Sequence, residues 1–465
     1  MRIRVFGQYV HVSIAVLVAL ESVLLFSLFS ASAFIRFPAD LAVLEDRMQL
    51  LWPSGVLYAV VMALSLLSFG LYSSRQRARP GGILVRIGIA VAAGISVIGL
   101  FFYLAPSFWI DRGVLAIATV STFCGVVLVR VLFYQLVDES LFKRRVIVYG
   151  AGKNAAPIAR LRRRSDRRGF TLIGFVQPDG EPCEVSPELL LPTSGSLPEI
   201  CAAHNIDEVV VAMDERRRGF PILELLECRL AGIDITELLT FLERETGRVR
   251  IDVLNPSWMI FGEGFRRDTA RLFSARALDL LASSLILLIT FPLMLVTILA
   301  IKLEDGIRSP VFYAQRRVGL GGRTFNVLKF RSMRTDAERH GAQWATKGDS
   351  RVTRVGAFIR KCRIDELPQI LCVFRGHMSF VGPRPERPEF VAELSQKIPY
   401  YVQRHCVKPG ITGWAQLCYP YGSSEQDALE KLQYDLYYIK NNTLLFDLAI
   451  LLQTAEVVFM GQGAR

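Results

Sequence analysis

The chain has 465 residues, 51% of them hydrophobic and 21% charged, with a formal net charge of +12. At roughly 150 residues per domain, that length predicts about three domains. So much charge beside so much apolar content means that the apolar residues are concentrated in segments, and the composition excludes a disordered chain, a collagen-like repeat and a small disulfide scaffold.

Four apolar runs fill the first 137 residues, at about 11–33, 51–73, 83–105 and 114–137. Each is near the ~20 residues that cross a bilayer. Arg2 and Arg4 precede the first, Arg75, Arg77, Arg79 and Arg86 fall between the second and third, and Lys143, Arg144 and Arg145 follow the fourth. By the positive-inside rule the N-terminus and everything after Val137 face the cytoplasm. The basic excess suits nucleic acid, anionic lipid or phosphorylated substrates alike. Four spans disfavour nucleic acid. The eight cysteines are scattered with no CxxC, the pattern of reduced thiols rather than of a zinc or thioredoxin-type site.

Residues 141–250 read as a Rossmann-like α/β domain. Strands are predicted at Val146–Tyr149, Leu172–Val176, Glu208–Ala212 and Ile233–Glu237, alternating with helical stretches, which argues for a parallel sheet. The first strand runs into Gly150-Ala151-Gly152-Lys153-Asn154-Ala155, a GxGxxA turn of the kind that places a phosphate at a helix N-terminus. The end of the second strand carries Gln177 where a ribose-binding acid is expected, so a role in assembly is the better expectation than cofactor binding. The basic stretch Arg160–Arg168 with Arg216–Arg218 reads as a solvated face, or as a contact for anionic lipid.

After a linker at 251–265, a fifth apolar run from Leu280 to Ile301 is 22 residues without a charge. Arg266, Arg267, Arg271 and Arg276 precede it, and Lys302, Arg308, Arg316 and Arg317 follow it, so both flanks are positive. Pro292, near its middle, lacks an N–H and clashes with the preceding turn. The expectation is a re-entrant helix-break-helix over about 272–301 that dips into one leaflet and returns. Amphipathic stretches at Trp258–Phe261 and Leu444–Leu452 suit either the interface or the domain core.

The remaining chain carries four dense clusters: Gln315-Arg316-Arg317-Val318-Gly319 followed by Lys329-Phe330-Arg331-Ser332-Met333; Arg360 to Gln369 around Asp365-Glu366; Val381-Gly382-Pro383-Arg384-Pro385; and Pro409-Gly410-Ile411-Thr412-Gly413-Trp414. Asp365 and Glu366 are adjacent acids among cations. Pro368 is favoured in a first helical turn, which predicts acids at a helix start, held ionised by the dipole and the nearby arginines. An ionised carboxylate beside a divalent ion can attack phosphorus. The bland alternative is a surface pair bridging Arg363.

Taken together, the clusters in this order over about 265–465 resemble the bacterial sugar transferases, or monotopic phosphoglycosyl transferases. Four spans (1–140), a Rossmann-like domain (141–250) and a mostly α catalytic domain (266–465) resemble the large form, which transfers a sugar 1-phosphate from a UDP-sugar to undecaprenyl phosphate at the bacterial inner membrane. The resemblance implies that Asp365 attacks the donor's β-phosphate, and that Glu366 helps to place Mg²⁺ and the acceptor. It implies Lys329, Arg331, Arg360 and Arg384 as phosphate contacts, Asp435 as an active-site carboxylate and Pro292 as the break proline. The chain departs from the pattern at Phe291, often Ser, and at His377, often acidic. Glucose or galactose is the expected sugar, and a homodimer through the middle domain fits the layout. A membrane-bound dehydratase would need a Tyr-x-x-x-Lys relay, yet no tyrosine lies between Tyr149 and Tyr313. The rival of another class is a non-catalytic scaffold for polysaccharide assembly.

Overall fold

The computed structural model describes residues 2–5, 8–37, 41–69, 71–72, 80–104, 111–136, 143–161, 166–167, 169–192, 195–215, 219–254, 256–261, 264–265, 268–334, 351–419, 422 and 424–459. Most of the basic stretch 162–168, and Arg75, Arg77, Arg79, Arg216–Arg218, Arg266 and Arg267, lie outside them. The chain forms two compact units, Met1–Val253 and Leu254–Arg465.

The first unit opens with the antiparallel pair β1 (Arg2–Val5) and β2 (Gln8–His11). Four helices follow: α1 (Val12–Arg36), α2 (Leu41–Ser68), α3 (Pro80–Leu104) and α4 (Arg112–Leu136). Within α1, α3 and α4, the stretches Val16–Arg36, Gly82–Leu104 and Arg112–Phe133 are long and apolar enough to cross a membrane, while the apolar part of α2, Trp52–Ser68, is shorter. Neighbouring helices pack through Leu25, Phe29, Tyr58, Met62, Ile87, Ala118 and Val126. Val23, Leu64, Leu100 and Val120 point outward, as side chains meeting hydrocarbon do. An ion pair is buried in the bundle: Arg130 donates through Nε to Glu21 Oε1 at 2.7 Å and through Nη1 to the Leu71 carbonyl, while Tyr72 donates to Glu21 Oε2. Pairing makes such charges tolerable away from water.

The rest of the unit is β3 (Arg144–Tyr149), α5 (Ala156–Ala159), β4 (Phe170–Val176), α6 (Leu197–Ala203), β5 (Glu208–Val211), α7 (Ile222–Leu230), β6 (Asp234–Glu237) and α8 (Leu238–Thr246). The four strands form one parallel sheet in the order β4-β3-β5-β6. Alternation along β3 sends Val146 and Val148 into one core and Ile147 into another, so both faces are covered.

The glycine turn after β3 is filled from within. Asp214 accepts from the N–H groups of Lys153 and Asn154 at 2.9 and 2.8 Å, and Glu181 accepts from those of Ala151 and Asp214 at 2.9 and 2.7 Å. A Cβ on Gly152 would stand 2.2 Å from Asp214 Oδ2, which is why the turn has glycine there. The helix behind it, α5, has only four residues and supplies little dipole.

The second unit contains α9 (Pro256–Phe261), α10 (Thr269–Asp305), the hairpin β7 (Phe312–Val318) and β8 (Thr324–Phe330), α11 (Arg354–Lys361), α12 (Gln369–Phe374), β9 (Ser379–Val381), α13 (Pro388–Lys397), β10 (Gly410–Thr412), α14 (Trp414–Cys418), α15 (Glu425–Asn441) and α16 (Leu444–Phe459). β7 and β8 are antiparallel, and β9 pairs in parallel with β10. α10 also meets the length and apolarity of a span. Its backbone stays helical across Pro292, so the break expected at the proline is not a gap in the helix. What the proline removes is one N–H, leaving the Leu288 carbonyl without its usual donor.

Both ends of α10 are tied to the same unit. At its start Arg276 donates to the carbonyls of Val373 and Phe374 at 2.8 and 2.7 Å, and buried Asp279 accepts from Ser379 Oγ and the Phe380 N–H at 2.9 and 3.0 Å. At its end Glu304 accepts from the first N–H groups of α11, at Arg354 and Val355, and Asp305 pairs with Arg331 at 2.5 Å. Between these ties Leu281, Leu285, Leu288, Ile289 and Phe291 stand exposed.

Candidate active site

The acids Asp365 and Glu366 lie on a single 3-10 turn, Ile364–Glu366, that precedes α12 rather than starting it. Their flanks decide their direction. Ile364 and Leu367 pack into a core of Met294 and Ile301 from α10, Phe330 from β8 and Ile359 from α11, which leaves the intervening carboxylates facing out of that core. Arg363 caps the turn at φ 58°, a left-handed conformation that a non-glycine residue adopts only under constraint.

Glu366 is gripped. Lys329 Nζ, from β8, lies 3.0 Å from Glu366 Oε1, and Arg384 Nη2 lies 3.7 Å from the same oxygen. Burial alone would raise the Glu366 carboxyl, but the Lys329 and Arg384 charges outweigh it and hold it below the usual range. Asp365 behaves oppositely. Burial first and the Glu366 charge second push its carboxyl up, against Lys329, Arg360 and Arg363. Cations therefore prevail at Glu366, while burial and the Glu366 charge prevail at Asp365; Lys329 bonds to Glu366, and the Arg363 charge acts on both acids. Asp365 Oδ1 is buried and has no hydrogen-bond partner among the described residues.

The loop bearing Arg384 is clamped at four successive carbonyls. Pro383 and Pro385 bring no N–H of their own, and each oxygen is met from a different place. Gly410 N–H reaches Pro383 at 3.0 Å, Arg404 Nη2 reaches Arg384 at 3.0 Å, Arg317 Nη1 reaches Pro385 at 3.1 Å, and Val318 N–H reaches Glu386 at 3.0 Å. A Cβ on Gly382 would meet the Lys408 carbonyl at 2.4 Å, so the approach of this loop to the Pro409–Gly410 segment requires glycine.

Of the residues singled out from the sequence, Asp365, Glu366, Lys329 and Arg384 come together, and Arg360 adds its charge to Asp365. Arg331 is turned to Asp305 at the end of α10. Asp435 is buried and pairs with Arg404 at 2.8 Å. Pro292 lies within α10, and His377 packs its ring 6.1 Å from that of Phe325. Sequence reasoning missed Arg404 and Asp279. Gln403-Arg404-His405 reads locally as a solvated stretch, and Asp279 as the polar edge of an apolar run, so neither carries a local signal of burial.

A carboxylate pair in a cationic rim, in one unit with a helix long and apolar enough to span, marks a membrane protein with a strongly charged candidate site. Residues 270–461 match the family model described as bacterial sugar transferase, and residues 67–228 match one described as a CoA-binding domain. Over 445 residues the chain is 30% identical to a UDP-glucose:undecaprenyl-phosphate glucose-1-phosphate transferase of Xanthomonas campestris pv. campestris, covering 88% of this chain and 87% of that protein. Over 241 residues it is 44% identical to a UDP-N-acetylgalactosamine-undecaprenyl-phosphate N-acetylgalactosaminephosphotransferase of Aeromonas hydrophila, covering 52% of this chain and 56% of that protein. A UDP-glucose:undecaprenyl-phosphate glucose-1-phosphate transferase of Caulobacter vibrioides is 42% identical over 191 residues, which are 41% of this chain and 71% of that protein. The chain belongs to the bacterial sugar transferase family.

Proposed function

We propose that this protein transfers a sugar 1-phosphate from a UDP-sugar to undecaprenyl phosphate, releasing UMP, as the first step of a polysaccharide repeat unit. The relatives' donors make UDP-glucose and UDP-N-acetylgalactosamine the first candidates, and UDP-galactose stays in the panel. The observation that carries the mechanism is the asymmetry of the acid pair: Glu366 is held by two cations, while Asp365 Oδ1 is buried with no bond to hold it.

In this reading an Asp365 oxygen attacks the β-phosphorus of the donor. The bond from that phosphorus to the bridging oxygen breaks, and UMP leaves with the oxygen. The sugar phosphate is then esterified to Asp365. An oxygen of undecaprenyl phosphate attacks the same phosphorus and breaks its bond to Asp365, which regenerates the carboxylate and yields the lipid diphosphosugar. Lys329 and Arg384 keep Glu366 charged and lie where phosphate oxygens would be neutralised. Adjacent carboxylates, one with an orphaned buried oxygen, fit Mg²⁺, which commonly binds through one or two carboxylates and substrate phosphates. When bound, the ion supplies charge neutralisation to the diphosphate.

The ties at both ends of α10 support a re-entrant anchor. A crossing helix would hold its flanks about 30 Å apart, on opposite sides of the bilayer, whereas Arg276, Asp279, Glu304 and Asp305 all bond to one unit. With the positive flanks this supports a site on the cytoplasmic face of the inner membrane, where nucleotide sugar and lipid phosphate meet.

The test is UMP release by the full chain in membranes against the three UDP-sugars. Asp365→Asn is expected to abolish release and the exchange of labelled UMP into donor without acceptor lipid. Release unchanged in Asp365→Asn would sink the mechanism and favour the scaffold.

A further inference from the structure

We propose that Arg404, braced by Asp435, is a positioning residue that sets Arg384 against the acid pair. The inference rests on the function just given.

Arg404 is buried and its fork serves three acceptors. Nη1 donates to Tyr401 Oη at 2.7 Å, and Nη2 donates to the Arg384 carbonyl at 3.0 Å and to Asp435 Oδ2 at 2.8 Å. The guanidinium also lies over the Tyr401 ring, 5.1 Å from its centroid. Asp435 is equally buried on α15 and does not reach the acid pair; it faces Arg404 instead. The chain of contact runs from α15 through Asp435 to Arg404, to the backbone of Arg384, and from the Arg384 side chain to Glu366.

The grip falls where it matters. Of the four clamps on the loop, three hold Pro383, Pro385 and Glu386, and only Arg404 holds Arg384 itself. Arg384 acts on Glu366 from 3.7 Å, a separation at which a shift of about 1 Å changes the interaction appreciably. A side chain that cannot fork, such as lysine, can satisfy Asp435 or the Arg384 carbonyl but not all three acceptors in one plane. Asp435, which the family resemblance implies to be an active-site carboxylate, is thereby assigned a role through Arg404.

The experiment is a double-mutant cycle on UMP release by the full chain in membranes, using whichever of the three UDP-sugars the wild type turns over. Arg384→Gln and Arg404→Gln are each expected to lower kcat/KM by about tenfold or more, and the double variant to lose no more than Arg384→Gln alone. A residue that merely supports the fold would lower kcat/KM by the same factor in both backgrounds, and that multiplicative result overturns the proposal. Arg404→Lys and the near-isosteric Asp435→Asn carry the same cycle should Arg404→Gln not accumulate. Asp365→Asn is run alongside: release that survives it counts against the nucleophile assignment, whereas independent Arg384 and Arg404 effects with Asp365→Asn inactive count against the positioning role alone.

Discussion

His405 is buried next to Arg404, and neither ring nitrogen has a hydrogen-bond partner among the described residues. Burial, then the Arg404 charge, pushes its pKa from 6.5 down to about 4. The unfolded chain therefore takes up a proton near pH 6.5 that the folded chain refuses until about pH 4. Stability from this residue is complete above 6.5 and drains as pH falls through that window, by up to about 3 kcal/mol. Thermal unfolding of the full chain at pH 7 and pH 5 measures it. His405→Leu, of similar volume and without a titrating ring, is expected to lose less melting temperature on acidification than the wild type. Equal losses would show that the ring takes no part in the acid sensitivity. The same burial explains why local sequence misled here: Gln403-Arg404-His405 looks polar, and the packing of α15 and the Arg384 loop turns Arg404 and His405 inward while Gln403 stays exposed.

Elements place charges that sequence can only count. The glycine turn after β3 has the spacing of a phosphate cradle, yet Asp214 and Glu181 already take four N–H groups at the turn and its neighbour Asp214. A diphosphate has to displace two carboxylates of the chain itself, with unfavourable charge. Coenzyme A or pyrophosphate at millimolar concentration is expected to leave the wild-type melting temperature within about 1 °C, and to raise it in Asp214→Ala, where two donors are freed. A clear rise in the wild type would mean that the carboxylates move aside. The strands themselves were legible, within two residues at each end, because β-branched runs between turn residues fit a parallel sheet buried on both faces. The occupant of the turn was not, because Asp214 lies about 60 residues further along the chain.

At the scale of the whole molecule, the second unit contains the acid pair, its cations and the apolar anchor. The Caulobacter relative is matched over 191 residues, which are 71% of its length and 41% of this chain. Residues 254–465 expressed alone in membranes are expected to release UMP within about tenfold of the full chain. A loss far beyond that would make the first unit a requirement of the chemistry. Membrane helices, parallel strands and the order of the charged clusters follow from hydropathy, periodicity and residue identity, which are local properties, and the sequence by itself determined them. Tertiary structure alone decided the pairings: that Lys329 meets Glu366, that Arg331 turns to Asp305, and that Asp435 holds Arg404. A buried charge takes whichever partner the packing of distant segments brings within reach, and nothing in its neighbours along the chain encodes that choice.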